Sequence, residues 1–175
     1  MSVICLSGAP GSGKTTIAKA VAGQIGRQCG SFGDYVRSRA REQGLGADRG
    51  SLQRLGQSLV DQGPRDFCQA TLDWLGWTPP HGLILDGLRH VSVYEALQAL
   101  VHPIEVSLIF IDVDQGTQRD RLKSRSGEDL SQALMTDPTE REIASLRDRA
   151  DLIVSGPDTP EAAVEAITSW IGARA

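Results

Sequence analysis

An apolar run from Val3 to Leu6 leads into Gly8-Ala9-Pro10-Gly11-Ser12-Gly13-Lys14-Thr15, and helical spacing takes over without a gap. A strand that turns through glycines straight into a helix leaves few folds open. Gly8, Gly11 and Gly13 let backbone N–H groups turn inward around an anion, and the positive end of the following helix points at the same place. Lys14 adds a mobile ammonium for outer phosphates, Thr15 a hydroxyl able to sit on Mg²⁺, and Thr16 stands next to them. The spacing GxxxxGK[ST] is that of a phosphate-binding loop. The backbone of Gly8, Gly11, Ser12 and Gly13, with Lys14, Thr15 and Thr16, is therefore the expected nucleotide-holding segment.

The chain of 175 residues suits one domain, 1–175, with a sizeable core. A formal charge of −4 and a pI near 5.3 argue against a general nucleic-acid surface, which needs clustered Lys and Arg. Cys5, Cys29 and Cys68 are an odd number without metal-ligand spacing and read as reduced core thiols. The longest apolar runs fall far short of a membrane span, and no basic segment followed by a long apolar one opens the chain, so a cytoplasmic location without membrane contact is expected.

Taken in order, the first helix is expected over Gly13–Ile25, with Ile17, Ala20, Val21 and Gln24 or Ile25 on its inner stripe and Gly26 ending it. A short extended piece from Gln28 gives way to a helix, with Gly33 at the turn. Asp34 reads either as that helix's cap or as a substrate contact, and Arg37, Arg39 and Arg41 either as a solvated face or as an anion site. Leu52, Leu55, Leu59 and Val60, then Phe67, Ala70, Thr71, Trp74 and Leu75, repeat at helical spacing around a Gly63-Pro64 break, so 38–80 reads as a helical insertion. Trp74 and Trp77 read as packing residues rather than base-stacking platforms. Gly82-Leu83-Ile84-Leu85-Asp86-Gly87-Leu88-Arg89 is an apolar strand ending on an acid. In a parallel sheet such an end opens on the ligand crevice, where Asp86 can orient Mg²⁺ or its waters and Arg89 enters the crevice. His90, with no visible partner, reads as a helix-start or loop residue.

Val91–Val101 is expected as a helix, Ile104–Val113 as the strongest strand, and Gln115–Arg125 as a helix on which Arg121 and Arg125 point the same way. A polar stretch follows, then a charged helix over Thr139–Arg149, a short strand over Ala150–Val154 and a closing helix on Ala162, Ala163, Ala166, Ile167 and Trp170. The order calls for an α/β fold of the P-loop NTPase kind, with a five-stranded parallel sheet and helices on both faces.

These stretches resemble the nucleoside monophosphate kinase-like branch of P-loop kinases, which includes adenylate kinases and dephospho-CoA kinases, and within it small prokaryotic proteins with an Asp-Gly-x-Arg segment. Gly33-Asp34-Tyr35-Val36-Arg37 is similar to the segment with which adenylate kinases hold the acceptor nucleotide. Asp86-Gly87-Leu88-Arg89 is similar to their Asp-Gly-x-x-Arg, one residue shorter. Gln118-Arg119-Asp120-Arg121-Leu122-Lys123-Ser124-Arg125 matches the Gln-x-x-Arg-Leu-x-x-Arg of dephospho-CoA kinases, and Ala150-Asp151-Leu152-Ile153-Val154 resembles their last strand. The segment 122–140 is a short lid without the arginine and aspartate series of adenylate kinases. The resemblance implies an ATP- and Mg²⁺-dependent phosphotransferase acting on a small acceptor, a nucleoside monophosphate or related nucleotide. Thr15 and Asp86 would support the metal, Asp34, Arg37 and Arg89 the acceptor, and Lys14, Asp86, Arg89, Arg121 and Arg125 the transferring group. Kinases for dephospho-CoA or another small metabolite, and a nucleotide-dependent switch with a protein partner, are the alternatives.

Overall fold

The structure is a computed structural model that describes residues 2–114, 116–118, 120, 138–155 and 159–174. Five strands form one parallel sheet in the order β2-β3-β1-β4-β5. They are β1 (Ser2–Ser7), β2 (Gln28–Ser31), β3 (Leu83–Leu88), β4 (Glu105–Asp112) and β5 (Leu152–Ser155). The helices are α1 (Lys14–Ile25), α2 (Phe32–Glu42), α3 (Arg49–Gln62), α4 (Pro64–Trp74), α5 (Val91–Val101), α6 (Pro138–Asp148) and α7 (Pro160–Gly172).

The near-continuous apolar strands are explained by two covered faces. Val3, Cys5, Leu83, Leu85, Val106 and Leu108 point to the side packed by α2, α3, α4 and α5, while Ile4, Leu6, Ile84, Ile109 and Ile111 point to the side packed by α1 and α7. Alternation along each strand thus feeds two cores rather than a core and a wet face. The three cysteines are free thiols, with Cys5 and Cys68 buried. Asp151 extends the β4–β5 ladder by one step, its N–H donating to Leu108 O and its Oδ2 accepting from Leu108 N, both at 2.8 Å.

Several sequence expectations need correction. On α1 the buried residues are Lys14, Ile17, Ala18, Val21 and Ala22, whereas Ala20 and Gln24 face solvent. On α7 they are Ala163, Val164 and Ile167, with Ala162 and Ala166 exposed. Alanine is compatible with either environment, so the stripe's edge is set by the sheet and not by alanine positions. The cap of α2 is Ser31, whose hydroxyl accepts from Asp34 N at 3.2 Å, so Gly33 and Asp34 lie inside the helix. β3 does not stop at Asp86 but runs on to Leu88. The register beside β1 slips after Leu6↔Asp86, so that Ser7 faces Leu88 and Gly87 is the extra residue, at φ +86°. The buried Ser7 hydroxyl donates to Leu88 O at 2.8 Å and pins that slip.

Candidate functional site

The phosphate-binding loop leaves β1 at its carboxyl end and re-enters secondary structure at Lys14. Gly8, Gly11 and Gly13 have φ of +146°, +84° and +85°, so the turn depends on glycine at those positions. Ser12 N donates to Ala9 O at 3.1 Å and Thr16 N to Gly13 O at 3.0 Å, closing the loop onto the start of α1. First-turn N–H groups have no carbonyl of their own helix to meet, and the helix dipole adds partial positive charge there. The Lys14 side chain curls back over the loop, Nζ donating to Ala9 O at 3.2 Å.

The slip in β3 aims Asp86 at this loop. Its carboxylate is 4% exposed, and Oδ2 accepts from the Thr15 hydroxyl at 2.5 Å. Its other oxygen, Oδ1, is buried without a hydrogen-bond partner among the described residues. Burying a carboxylate oxygen unsatisfied is costly, and such a site suits a metal ion, a water or a donor on a ligand. No group of three or more His, Cys, Asp or Glu side chains able to hold a metal occurs among the described residues. Thr15 and Asp86 are paired oxygens on which an ion could sit, together with water and bound phosphate oxygens.

From this point a cavity of about 580 Å³ runs between β3, α2 and α3, bordered at one end by Gly11, Lys14, Thr15 and Asp86 and elsewhere by Arg37, Arg89 and His90. Phe32, Val36, Leu52, Val60, Phe67 and Val93 give it apolar walls. That combination, mostly apolar with a few placed polar groups, is what small-molecule sites offer. Gly8, Ser12, Gly13 and Thr16 belong to the loop and helix start beside the cavity rather than to its lining. Asp34 does not border it either, but accepts from Arg37 Nε at 3.1 Å and so fixes a guanidinium that does. Arg121 and Arg125, and the lid segment ahead of Pro138, lie outside the described residues.

Sequence reasoning missed the cavity face of α3. Arg49, Leu52, Gln53, Gly56, Gln57 and Val60 all line the cavity, and they recur at helical spacing. The signal is legible as a polar stripe of Arg49, Gln53 and Gln57 one turn apart, whereas the spacing of the leucines supports only a helical insertion. Only Val60 of this helix is buried. Neither buried thiol offers a nucleophile. Burial pushes the Cys68 thiol up to about 12 and raises that of Cys5 further.

A protein-family profile described as an AAA domain matches residues 4–144. The chain belongs to this family. The match spans both the phosphate-binding loop and every residue that borders the cavity, so the whole site lies inside the AAA domain. A UPF0200 protein of Pyrobaculum aerophilum is 29% identical over 160 residues, covering 88% of this chain and 87% of the relative. Among solved structures, a sugar kinase from Janibacter sp. HTCC2649 superposes with a TM-score of 0.61 at 18% identity, over 98% of this chain and 95% of that one. A shikimate kinase from Bacteroides thetaiotaomicron gives 0.62 at 16%, over 98% of both chains. The AAA domain therefore shares their α/β architecture, a five-stranded parallel sheet with helices on both faces. Among the described residues, no helix is long and apolar enough to cross a membrane.

Proposed function

We propose that this AAA domain is an ATP- and Mg²⁺-dependent phosphotransferase whose acceptor is a nucleoside monophosphate or related nucleotide. The observation that carries the reading is the junction at Asp86. A buried carboxylate with one orphaned oxygen stands between a phosphate-binding loop and a cavity edged by arginines. Phosphoryl transfer asks little covalent chemistry of a protein; it asks for alignment of donor and acceptor and for compensation of charge.

The loop amides, Lys14 and the start of α1 would hold the donor's phosphates. Thr15 and Asp86 form an all-oxygen pair of the kind Mg²⁺ accepts alongside water and phosphate oxygens. The ion supplies charge neutralisation on the phosphate oxygens when bound. Arg89 and Arg37, the latter steadied by Asp34, would meet an anionic group on the acceptor. Phe32, Val36 and Val60 would cover its apolar face, and Gln53 and Gln57 would offer paired donors and acceptors to a base edge. Arg121 and Arg125 would close over the transferring group and shut out water. The domain would then be a single kinase unit, 1–175, with 38–80 as its acceptor-binding insertion and 122–140 as its lid.

A second reading keeps the donor site and replaces the acceptor by a metabolite hydroxyl. The orphaned Asp86 Oδ1 favours it, because a buried carboxylate oxygen at that junction can take a hydroxyl proton. The fold is also shared with proteins described as sugar and shikimate kinases.

The test is ADP release from Mg·ATP with ribo- and deoxynucleoside monophosphates, dephospho-CoA, shikimate and gluconate in turn. Stimulation by a nucleotide, lost in Arg89→Ala, supports the first reading. Stimulation by a hydroxyl acceptor alone, lost in Asp86→Asn, moves the assignment to the second. Lys14→Ala should leave under about 1% of either activity, since removing one preorganised charge contact costs on the order of 3–4 kcal/mol of barrier. Turnover that survives Lys14→Ala intact refutes both.

A further inference from the structure

Glu142 of α6 serves two groups of another element at once. Its Oε2 accepts from Val91 N at 3.1 Å, and its Oε1 lies 3.1 Å from His90 Nδ1. His90 occupies the N-cap position of α5 yet makes no side-chain cap bond, so the cap of α5 comes from a different helix. His90 borders the cavity next to Gly87 and Arg89, with a side chain 12% exposed.

An ionised carboxylate only accepts, so the hydrogen between His90 and Glu142 sits on Nδ1. In the neutral ring Nε2 then carries no hydrogen and is an acceptor. Among the described residues Nε2 has no hydrogen-bond partner, nor is it sealed from solvent. The charged nitrogens around this cavity, on Lys14, Arg37, Arg49 and Arg89, are all donors. An acceptor beside Arg89 is what a site needs to recognise a hydroxyl or amino group close to a ligand's anionic group.

We infer that Glu142 and His90 form a specificity device for the acceptor. Glu142 is a positioning residue that fixes the Nδ1–H tautomer. His90 Nε2 accepts from a sugar-type hydroxyl carried next to the anionic group that Arg89 meets. The inference rests on the phosphotransferase reading and narrows its acceptor to molecules bearing such a hydroxyl.

Two measurements test it. Imidazole ¹⁵N–¹H correlation spectra at pH 8, with His90 assigned by the His90→Gln variant, should show a protonated Nδ1 and a bare Nε2. Glu142→Gln should return the ring to the Nε2–H form. In the ADP-release assay, using whichever panel member stimulates most, His90→Ala should raise the acceptor KM about tenfold while the ATP KM stays within about twofold. Glu142→Gln should fall between native and His90→Ala. An Nε2–H tautomer in the native protein, or a His90→Ala variant with unchanged acceptor KM, overturns the inference and leaves the phosphotransferase reading standing. Loss of kcat, both KM values and melting temperature together in His90→Ala would mark a structural group and overturns it as well. If no acceptor stimulates turnover, the parent reading fails and the acceptor contact falls with it.

Discussion

Replacing Gly8 by alanine probes how the phosphate-binding loop is seated on the sheet. A Cβ built at Gly8 would lie 2.5 Å from Ile111 O, a backbone atom of β4 that cannot rotate aside. The residue also has φ +146°, a conformation that L side chains rarely adopt. Holding a non-glycine residue there costs about 1–3 kcal/mol, and forcing an extra methyl into a packed site about 1–3 kcal/mol more. The sum, about 4 kcal/mol, is a large share of the roughly 5–15 kcal/mol that holds a domain together. At about 2–4 °C per kcal/mol for a domain of this size, the melting temperature should fall by about 12 °C. Relief by shifting the loop about 1 Å would misplace the donor's phosphates and cut any kinase turnover about a hundredfold. Gly23, exposed in the last turn of α1, is the control: nothing beyond the helix's own backbone lies within 4 Å of its Cβ position. Gly23→Ala should stabilise by about 0.5–1 kcal/mol, because glycine loses more backbone freedom in a helix. Thermal melts by circular dichroism, with urea titrations to check that m is unchanged, compare the two. A Gly8→Ala protein melting within about 3 °C of native would refute the argument from steric overlap.

Asp151→Ala should leave the buried Leu108 N–H without its acceptor at 2.8 Å, costing about 2 kcal/mol and about 6 °C in a thermal melt. Asp151→Asn, which keeps an oxygen in place, should lose less than half as much. Asp48 caps α3 through Ser51 N, and its hydrogen bonds with Ser51 hold its carboxyl below the usual aspartate range. A depressed pKa gives stability that is present above the unfolded-state value and lost as pH falls through the folded one. Asp48→Ala should therefore unfold at lower urea than native at pH 7, and the gap should narrow as pH falls below the ordinary aspartate range and the folded carboxyl takes up its proton.

The features easiest to read in the sequence were those with a single physical solution. A glycine-spaced loop between strand and helix, an apolar run too long for a one-sided sheet and a Gly63-Pro64 break each allow one local structure, and the elements lie where they were expected. Ambiguity entered where a residue suits two environments. Alanine at 20, 162 and 166 fits an inner stripe by spacing and is exposed. Asp34 was weighed as a cap, but Ser31 caps that helix, since three-residue offsets of serine and aspartate look alike in a chain. That the polar stripe of α3 faces a cavity, and that His90 meets Glu142, is a different matter. Both depend on which helix lies across from which, and residues 52 apart acquire a relationship only once the sheet has fixed the helices.

The uneven burial of α3 sorts the molecule by how readily its parts open. β1, from which the phosphate-binding loop springs, is almost wholly buried, whereas α3 has one buried residue in fourteen. Local opening follows buried contact, so α3 should exchange its amide hydrogens long before β1 does. The cavity wall on α3 is thus the part that yields, and the seat of the phosphate-binding loop is the part that does not. Residues along α3 can change, or settle around a different molecule, while the sheet beneath keeps its register.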